Sequence, residues 1–133
     1  MELTWGEGRV KISLSARKMG NDFVVHIFNE NAHIGAVAVG EYHHQERRTS
    51  TSVITRLGHK DDLIAQKAAY LISKHTRRAS CVVAGVHLSD VTQEEIQRVI
   101  ENTDSLVKDF LERWEQNEEK FIHWTVNVLD SLY

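Results

Sequence analysis

The sequence predicts an α+β fold: a mixed, mostly antiparallel sheet of about five or six strands, with two to three helices packed against it. Three observations carry this prediction. Upstream of Leu57-Gly58, apolar residues recur at every second position in successive short runs, the period of half-buried strands. Downstream of it they recur every third or fourth position, the period of an amphipathic helix. After that helical stretch, Cys81 to Leu88 is a continuous apolar run, which reads as a strand covered on both faces. A helix leading into a buried strand makes a mixed sheet.

From the N-terminus, Val10, Ile12, Leu14 and Ala16 alternate with Lys11, Ser13, Ser15 and Arg17, giving a half-buried strand. Gly20-Asn21-Asp22 is turn chemistry, because Gly and Asn tolerate positive φ. Phe23 to Phe28 is the return strand of a hairpin. Asn29-Glu30-Asn31 makes a second turn. His33 to Tyr42 is a third strand, rich in small residues (Gly35, Ala36, Ala38 and Gly40) that let another backbone or a flat ligand approach. His43 to Arg48 is a polar loop, and Thr49 to Leu57 a fourth alternating strand.

At Leu57-Gly58-His59-Lys60-Asp61-Asp62 strand gives way to helix, with Asp61 or Asp62 available as cap. Ile64, Ala68, Leu71 and Ile72 form the helical stripe, and Arg77-Arg78 suits the helix C-terminus. Thr92-Gln93-Glu94-Glu95 is a capping box. Ile96, Val99 and Ile100 come next on one face, and Leu106, Val107, Phe110, Leu111 and Trp114 form another stripe. Asn102-Thr103-Asp104 either separates two helices or kinks one, and Glu115 to Lys120 reads as a charged linker. The tail fits a strand through Ile122, Trp124, Val126 and Val128, or a helix through Ile122, Val126 and Leu129.

The 133 residues suit a single domain, 1–133, with 115–133 as a variable C-terminal extension. A chain 41% hydrophobic and 26% charged can bury a core and stay in solution. A net charge of −3 gives no reason to expect a nucleic-acid partner, which needs a basic face. No apolar run approaches the roughly 20 residues that span a bilayer. The first residues lack a basic segment followed by an apolar one, so no secretion signal is expected. Cys81 is the single cysteine and can form no internal disulfide, which fits a reducing cytoplasm. There is no proline, so the turns depend on Gly, Asn and Asp.

Three histidines stand at element ends or beside small residues: His33, His59 and His87. Three neutral imidazoles can hold a divalent metal and leave positions open for a ligand, though their spacing matches no metal motif. The bland alternative is that His33 and His87 are hydrogen-bonded strand residues and His59 a solvated loop residue. Lys60 and the helix start after it are candidates for phosphate, since an ammonium beside unpaired N–H groups satisfies an anion. There is no H-E-x-x-H, C-x-x-C, G-x-S-x-G, G-x-G-x-x-G or P-loop.

Taken together, Asn31-x-His33-Ile34-Gly35, His59-Lys60-Asp61 and Ser80-Cys81-x-x-Ala84-Gly85-Val86-His87 resemble the prenylated-flavin chaperone family, first met as the small accessory subunit of gallate decarboxylase. The similarity runs from about Asn29 to Trp114 and includes Thr103-Asp104 followed by Leu106. It departs in the His43–Arg48 loop and beyond Glu115. The resemblance implies a fold like that of the proteasome assembly chaperones and a non-catalytic role. Such a protein binds prenylated FMN (or FMN), with a divalent metal, and delivers it to a decarboxylase; a flavin prenyltransferase is the implied donor. Carried over, His33, His59 and His87 become the metal set, with His33 also against the flavin. Lys60 and Asp61 become phosphate and metal-side partners, and Gly35, Ala84 and Gly85 admit the flat ring. A homodimer is expected through the Trp-containing helix and tail. Two other readings stand beside this one: a proteasome-assembly-chaperone-like interaction subunit, and a small metal-dependent hydrolase with Asp61 or Asp62 as base.

Overall fold

A computed structural model of the chain describes residues 1–56 and 61–132, with the side chains of the last helix described as far as Glu118. Six strands form one mixed sheet: β1 (Glu2–Trp5), β2 (Ile12–Met19), β3 (Asp22–Phe28), β4 (Ala36–His43), β5 (Arg48–Thr55) and β6 (Ser80–Gly85), in the order β1-β2-β3-β6-β4-β5. Two helices, α1 (Asp62–Thr76) and α2 (Gln93–Leu132), pack on one face, and a short 3₁₀ turn spans Gly8–Val10. All strand pairs are antiparallel except β3 with β6. The expected α+β architecture is therefore the observed one.

The hairpin β2–β3 turns through Gly20 and Asn21, with Met19 opposite Asp22 and Gly20 at φ +62°; a two-residue loop with glycine first matches the twist of the strands it joins. The chain then leaves the sheet at Asn29, so β4 begins at Ala36 rather than at His33, and β6 inserts between β3 and β4. Alternation reports pleating but not which strands become neighbours. The unexpected strand β1 is a short edge, Leu3 alone turning inward.

The covered face is built from alternate residues. Ile12 and Leu14 (β2), Val25 and Ile27 (β3), Ala38 (β4) and Val82 (β6) are buried under Ala65, Ala69 and Ile72 of α1 and Leu106, Val107 and Phe110 of α2. The small residues of β4 serve backbone approach: a Cβ on Gly40 would lie 2.5 Å from the Ala69 carbonyl oxygen and 2.6 Å from Ser73 Oγ. Helix α1 thus sits directly on β4. Ser73 and Ser80 resolve their burial by sharing a hydrogen bond of 2.8 Å, while Ser80 Oγ donates to the Ala69 carbonyl.

The Thr92 box caps α2 as expected: Glu95 N donates to Thr92 Oγ1 and Thr92 N to Glu95 Oε1, both at 3.1 Å. From there the chain runs as a single helix. Asn102-Thr103-Asp104 neither separates nor ends it, and residues 115–120, expected as a linker, and the ambiguous tail belong to the same helix as far as Leu132. The polar residues that suggested a break have other partners. Asn102 Nδ2 donates to the Val10 carbonyl, Thr103 Oγ1 to the Val99 carbonyl, and Asp104 pairs with Lys67 at 2.8 Å. Trp114, the last residue of the second stripe, packs edge-on against Phe23 and His75 with the Arg78 guanidinium over its ring.

Among the described residues, no helix lies on the second face of the sheet. Cys81 and Val83 on β6 are half-buried there, so the two-sided cover expected for this strand is only half present in one chain.

Candidate functional site

The connections that follow β3 and β6 both leave from one end of the sheet, where these two parallel strands finish side by side. Ligands of open sheets gather at such carboxyl ends, because the connections there diverge and leave a crevice.

Asn29 comes after β3 in phase with Phe23, Val25 and Ile27, and is 6% exposed. Its amide reads the main chain beyond β6: Nδ2 donates to the His87 carbonyl at 2.7 Å, and His87 N donates to Oδ1 at 3.1 Å. This reciprocal pair extends the β3–β6 ladder by one side-chain rung and fixes the backbone that presents the His87 imidazole. Turn chemistry alone does not give Asn29 this role. The signal that could have found it is its phase: an amide on the buried stripe of a strand needs a partner.

His33 approaches from the β3–β4 connection. Its carbonyl oxygen lies where a Cβ on Gly85 would fall, 2.0 Å away, so the main chain at His33 passes directly over Gly85. The next residues are tied down by Gly35 N donating to the Ala84 carbonyl, Arg56 N donating to the Gly35 carbonyl, and the Arg56 guanidinium donating to the Ile34 carbonyl, each at 2.9 Å. The His33 and His87 rings end 5.2 Å apart, centre to centre, tilted at 45°. Both residues are exposed while their backbones are held.

Asp61 precedes α1 and is 5% exposed. Its main-chain carbonyl accepts the first helical bond, from Ala65 N, but its side chain does not cap the helix. The carboxylate turns back to the sheet: Oδ1 accepts from Val86 N at 3.2 Å, and Oδ2 occupies the space where a Cβ on Gly35 would sit, 1.7 Å away. The small residues expected to admit a flat ring are thus used by the chain itself. Gly35 receives Asp61, Gly85 receives the His33 backbone, and Ala84 is fully buried in the core.

The structure therefore brings His33, His87, Asp61, Gly35, Ala84 and Gly85 to one place. His59 and Lys60 lie outside the described residues. Among the described residues no three His, Cys, Asp or Glu side chains stand close enough to share a metal ion.

Two hollows flank the histidines. Asp61 and His87 stand in the wall of a cleft of about 240 Å³ that is otherwise apolar, lined by Leu63, Ile64, Val86 and Ile100 among others. A larger hollow of about 540 Å³ lies between Asn29, Asn31, Phe28, Arg9, Lys11 and Ser13. Its Arg9 is already committed to Glu95 at 2.5 Å. No local sequence pattern points to the apolar cleft, because Leu63 and Ile64 come from α1 and Ile100 from α2.

This sheet and pair of helices is the fold of a proteasome-assembly chaperone: the chain superposes with a TM-score of 0.58 on a chain from the crystal structure of a novel chaperone complex for yeast 20S proteasome assembly, at 15% identity, covering 87% of this chain and 94% of that one. Identity that low carries the fold alone. No curated protein matches. Residues 6–115 match the prenylated flavin chaperone LpdD-like domain, and the chain belongs to that family.

Proposed function

We propose that this protein is a non-catalytic carrier of prenylated FMN that hands the cofactor to a decarboxylase, in the cytoplasm, having received it from a flavin prenyltransferase. The observation that supports this most is the pairing of two exposed imidazoles, 5.2 Å apart, with a buried carboxylate at the wall of an apolar cleft, in a chain of this family.

The donor set suits a flavin. The pyrimidine edge of the ring offers one N–H between two carbonyls; a carboxylate accepts the first, and imidazoles donate to the others. Asp61 and the pair His33–His87 fill these roles in this reading. The apolar cleft beside Leu63 and Ile64 takes the hydrocarbon ring added by prenylation, whose transfer from water is favourable. His59 and Lys60 carry the parts that the resemblance gives them, a third imidazole and a phosphate partner. A divalent ion, when bound, would draw on the imidazoles as ligands; bound flavin supplies chemistry only after transfer, so the chain's work is to bind, shield and release.

Anaerobic titration with FMN and with reduced prenylated FMN, each with and without a divalent metal, tests the proposal through flavin fluorescence. Saturable binding is expected, weakened at least about tenfold by His87→Ala, as fits the loss of roughly one charge-assisted or neutral hydrogen bond. Absence of binding under all four conditions overturns it.

A further inference from the structure

Deepening the cofactor reading, and resting on it, we infer that the hollow beside Asn29 holds the ribityl phosphate of the same cofactor, with the Lys11 ammonium on the phosphate. Size is the first observation. The apolar cleft measures about 240 Å³, below the roughly 300–1,000 Å³ of sites that enclose ligands of drug or cofactor size. A flavin nucleotide carrying an added hydrocarbon ring does not fit in it whole. The hollow of about 540 Å³ is its neighbour, since Leu88 lines both. The wall of the hollow runs through Asn31 and Ala32 into His33, and its Asn29 amide holds the His87 main chain. The two imidazoles thus stand where the two spaces meet.

Charge decides which end of the cofactor enters which space. Asp61 stands in the wall of the cleft, and a phosphate placed there would face its carboxylate, like charge against like, in apolar surroundings where the repulsion is strong. The hollow has cations instead, Arg9 and Lys11, with the Ser13 hydroxyl and the Asn31 amide as further donors. Arg9 is spent on Glu95 and the Ser89 carbonyl, and Arg56 on the Ile34 carbonyl. Lys11 is exposed, and its side chain makes no ion pair or hydrogen bond among the described residues. An ammonium is a compact charge with three donors, which suits a terminal phosphate. That phosphate offers three acceptor oxygens, so Lys11 and Lys60 do not compete for the role.

The fold holds these groups in place. Ser13 is opposite Phe28 in the β2–β3 register, so hydroxyl and ring share one face at the ends of the two strands. Lys11 immediately precedes β2, and its backbone N–H donates to the Gly8 carbonyl. Its base is therefore fixed while its ammonium stays free. Ser13 and Asn31 both donate and accept, as the ribityl hydroxyls do. Glu30 also lines the hollow. Its carboxylate opposes a phosphate there, so removing that charge should tighten binding.

Ligand pairs that differ only in the phosphate test this on the full chain: FMN against riboflavin, and reduced prenylated FMN against its dephosphorylated form, followed anaerobically by flavin fluorescence. The wild type should prefer the phosphorylated member. Lys11→Ala should weaken that member about tenfold, as fits one charge-assisted bond at a site that solvent and salt partly screen. It should leave the dephosphorylated member unchanged, which also shows that the variant folds. Glu30→Gln should widen the preference. Backbone amide NMR signals of Ser13 and Asn31 should move with either member, since the ribityl chain is common to both. Equal binding of the two members by the wild type, a preference that survives Lys11→Ala, or amide signals that stay still while flavin binds overturns the assignment of the hollow and leaves the carrier reading intact. Absence of binding by all four ligands overturns both.

Discussion

Gly35→Ala should destabilise the protein through Asp61 and through nothing else. Gly35 has no positive φ that would strain an alanine. In open surroundings the substitution would stabilise by about 0.4–1 kcal/mol, by restricting the unfolded chain. Here the added methyl falls 1.7 Å from Asp61 Oδ2 and 2.6 Å from its carboxyl carbon. The carboxylate must leave, and Val86 N loses the acceptor it holds at 3.2 Å. An N–H left unsatisfied in a partly buried place costs about 1–3 kcal/mol. Set against the gain, the net loss is about 1–2 kcal/mol, a fall in Tm of roughly 3–6 °C for a domain of this size. The decisive measurement is a double-mutant cycle by urea denaturation with Asp61→Gly, which removes all three atoms that meet the new methyl. In that background Gly35→Ala should be neutral or stabilising. An equal cost in both backgrounds would refute the placement of Asp61 over Gly35, and with it the geometry of the site.

Three further outcomes are expected. Asn29→Ala removes both bonds to the His87 main chain, so it should cost about 2–3 kcal/mol in urea denaturation and loosen any ligand held by His87; full stability would show that the amide is not a rung of the ladder. Gly40→Ala drives a methyl to 2.5 Å from the Ala69 carbonyl, and because that atom is helix backbone it cannot step aside, so a loss of about 2–3 kcal/mol or failure to fold is expected, visible as a lowered urea midpoint. The Glu95 carboxyl is held below the ordinary glutamate range, chiefly by the Thr92 backbone N–H it accepts, against a smaller opposing effect of desolvation and with help from the Arg9 guanidinium; its stabilising effect is therefore present above the unfolded-state value and lost as pH falls through the lowered one. Carboxyl NMR shifts should report the low titration point, Glu95→Gln should flatten the acid limb of stability, and an ordinary titration point would contradict the box.

The fold was legible where one residue type settles one local question. Alternation in Ile12-Ser13-Leu14-Ser15 and the turn at Gly20-Asn21 located the first hairpin, and Thr92 with Glu95 located the start of α2. Legibility failed where the partner was distant. Asn102 and Thr103 look like a helix break until the Val10 and Val99 carbonyls accept from them. The small residues Gly35, Gly40 and Gly85 announced close approach, which is what they permit. No local pattern could say that the approaching atoms would be Asp61, Ala69 and His33 instead of a ligand. His33 and His87 stood out in the sequence as strand residues beside small neighbours, whereas both lie in connections just outside β4 and β6; the Asn29 amide that fixes one of them is 58 positions away, and the apolar cleft beside it draws on two different helices.

The same close approaches explain how exposed rings can form a defined site. A flexible surface histidine pays roughly 0.5–1.5 kcal/mol in ordering when it grips a ligand. Here His87 is held by two bonds to a buried amide, and the chain at His33 is pressed onto Gly85 with Gly35 bonded to Ala84 just beyond. The backbones are therefore ordered by folding, before any ligand arrives, and the rings keep their access to solvent. The carrier role proposed above calls for that combination: a fixed frame favours capture, and an open rim permits release without unfolding. Widening Gly85 tests the frame apart from the rings. Gly85→Ala places a methyl 2.0 Å from the His33 carbonyl, so it should displace the His33 segment while leaving both imidazoles in the sequence. Ligand binding should then fall as far as in a His33→Ala variant. Binding that survives Gly85→Ala in a folded protein would mean that the frame is dispensable and that the rings find their ligand by their own flexibility.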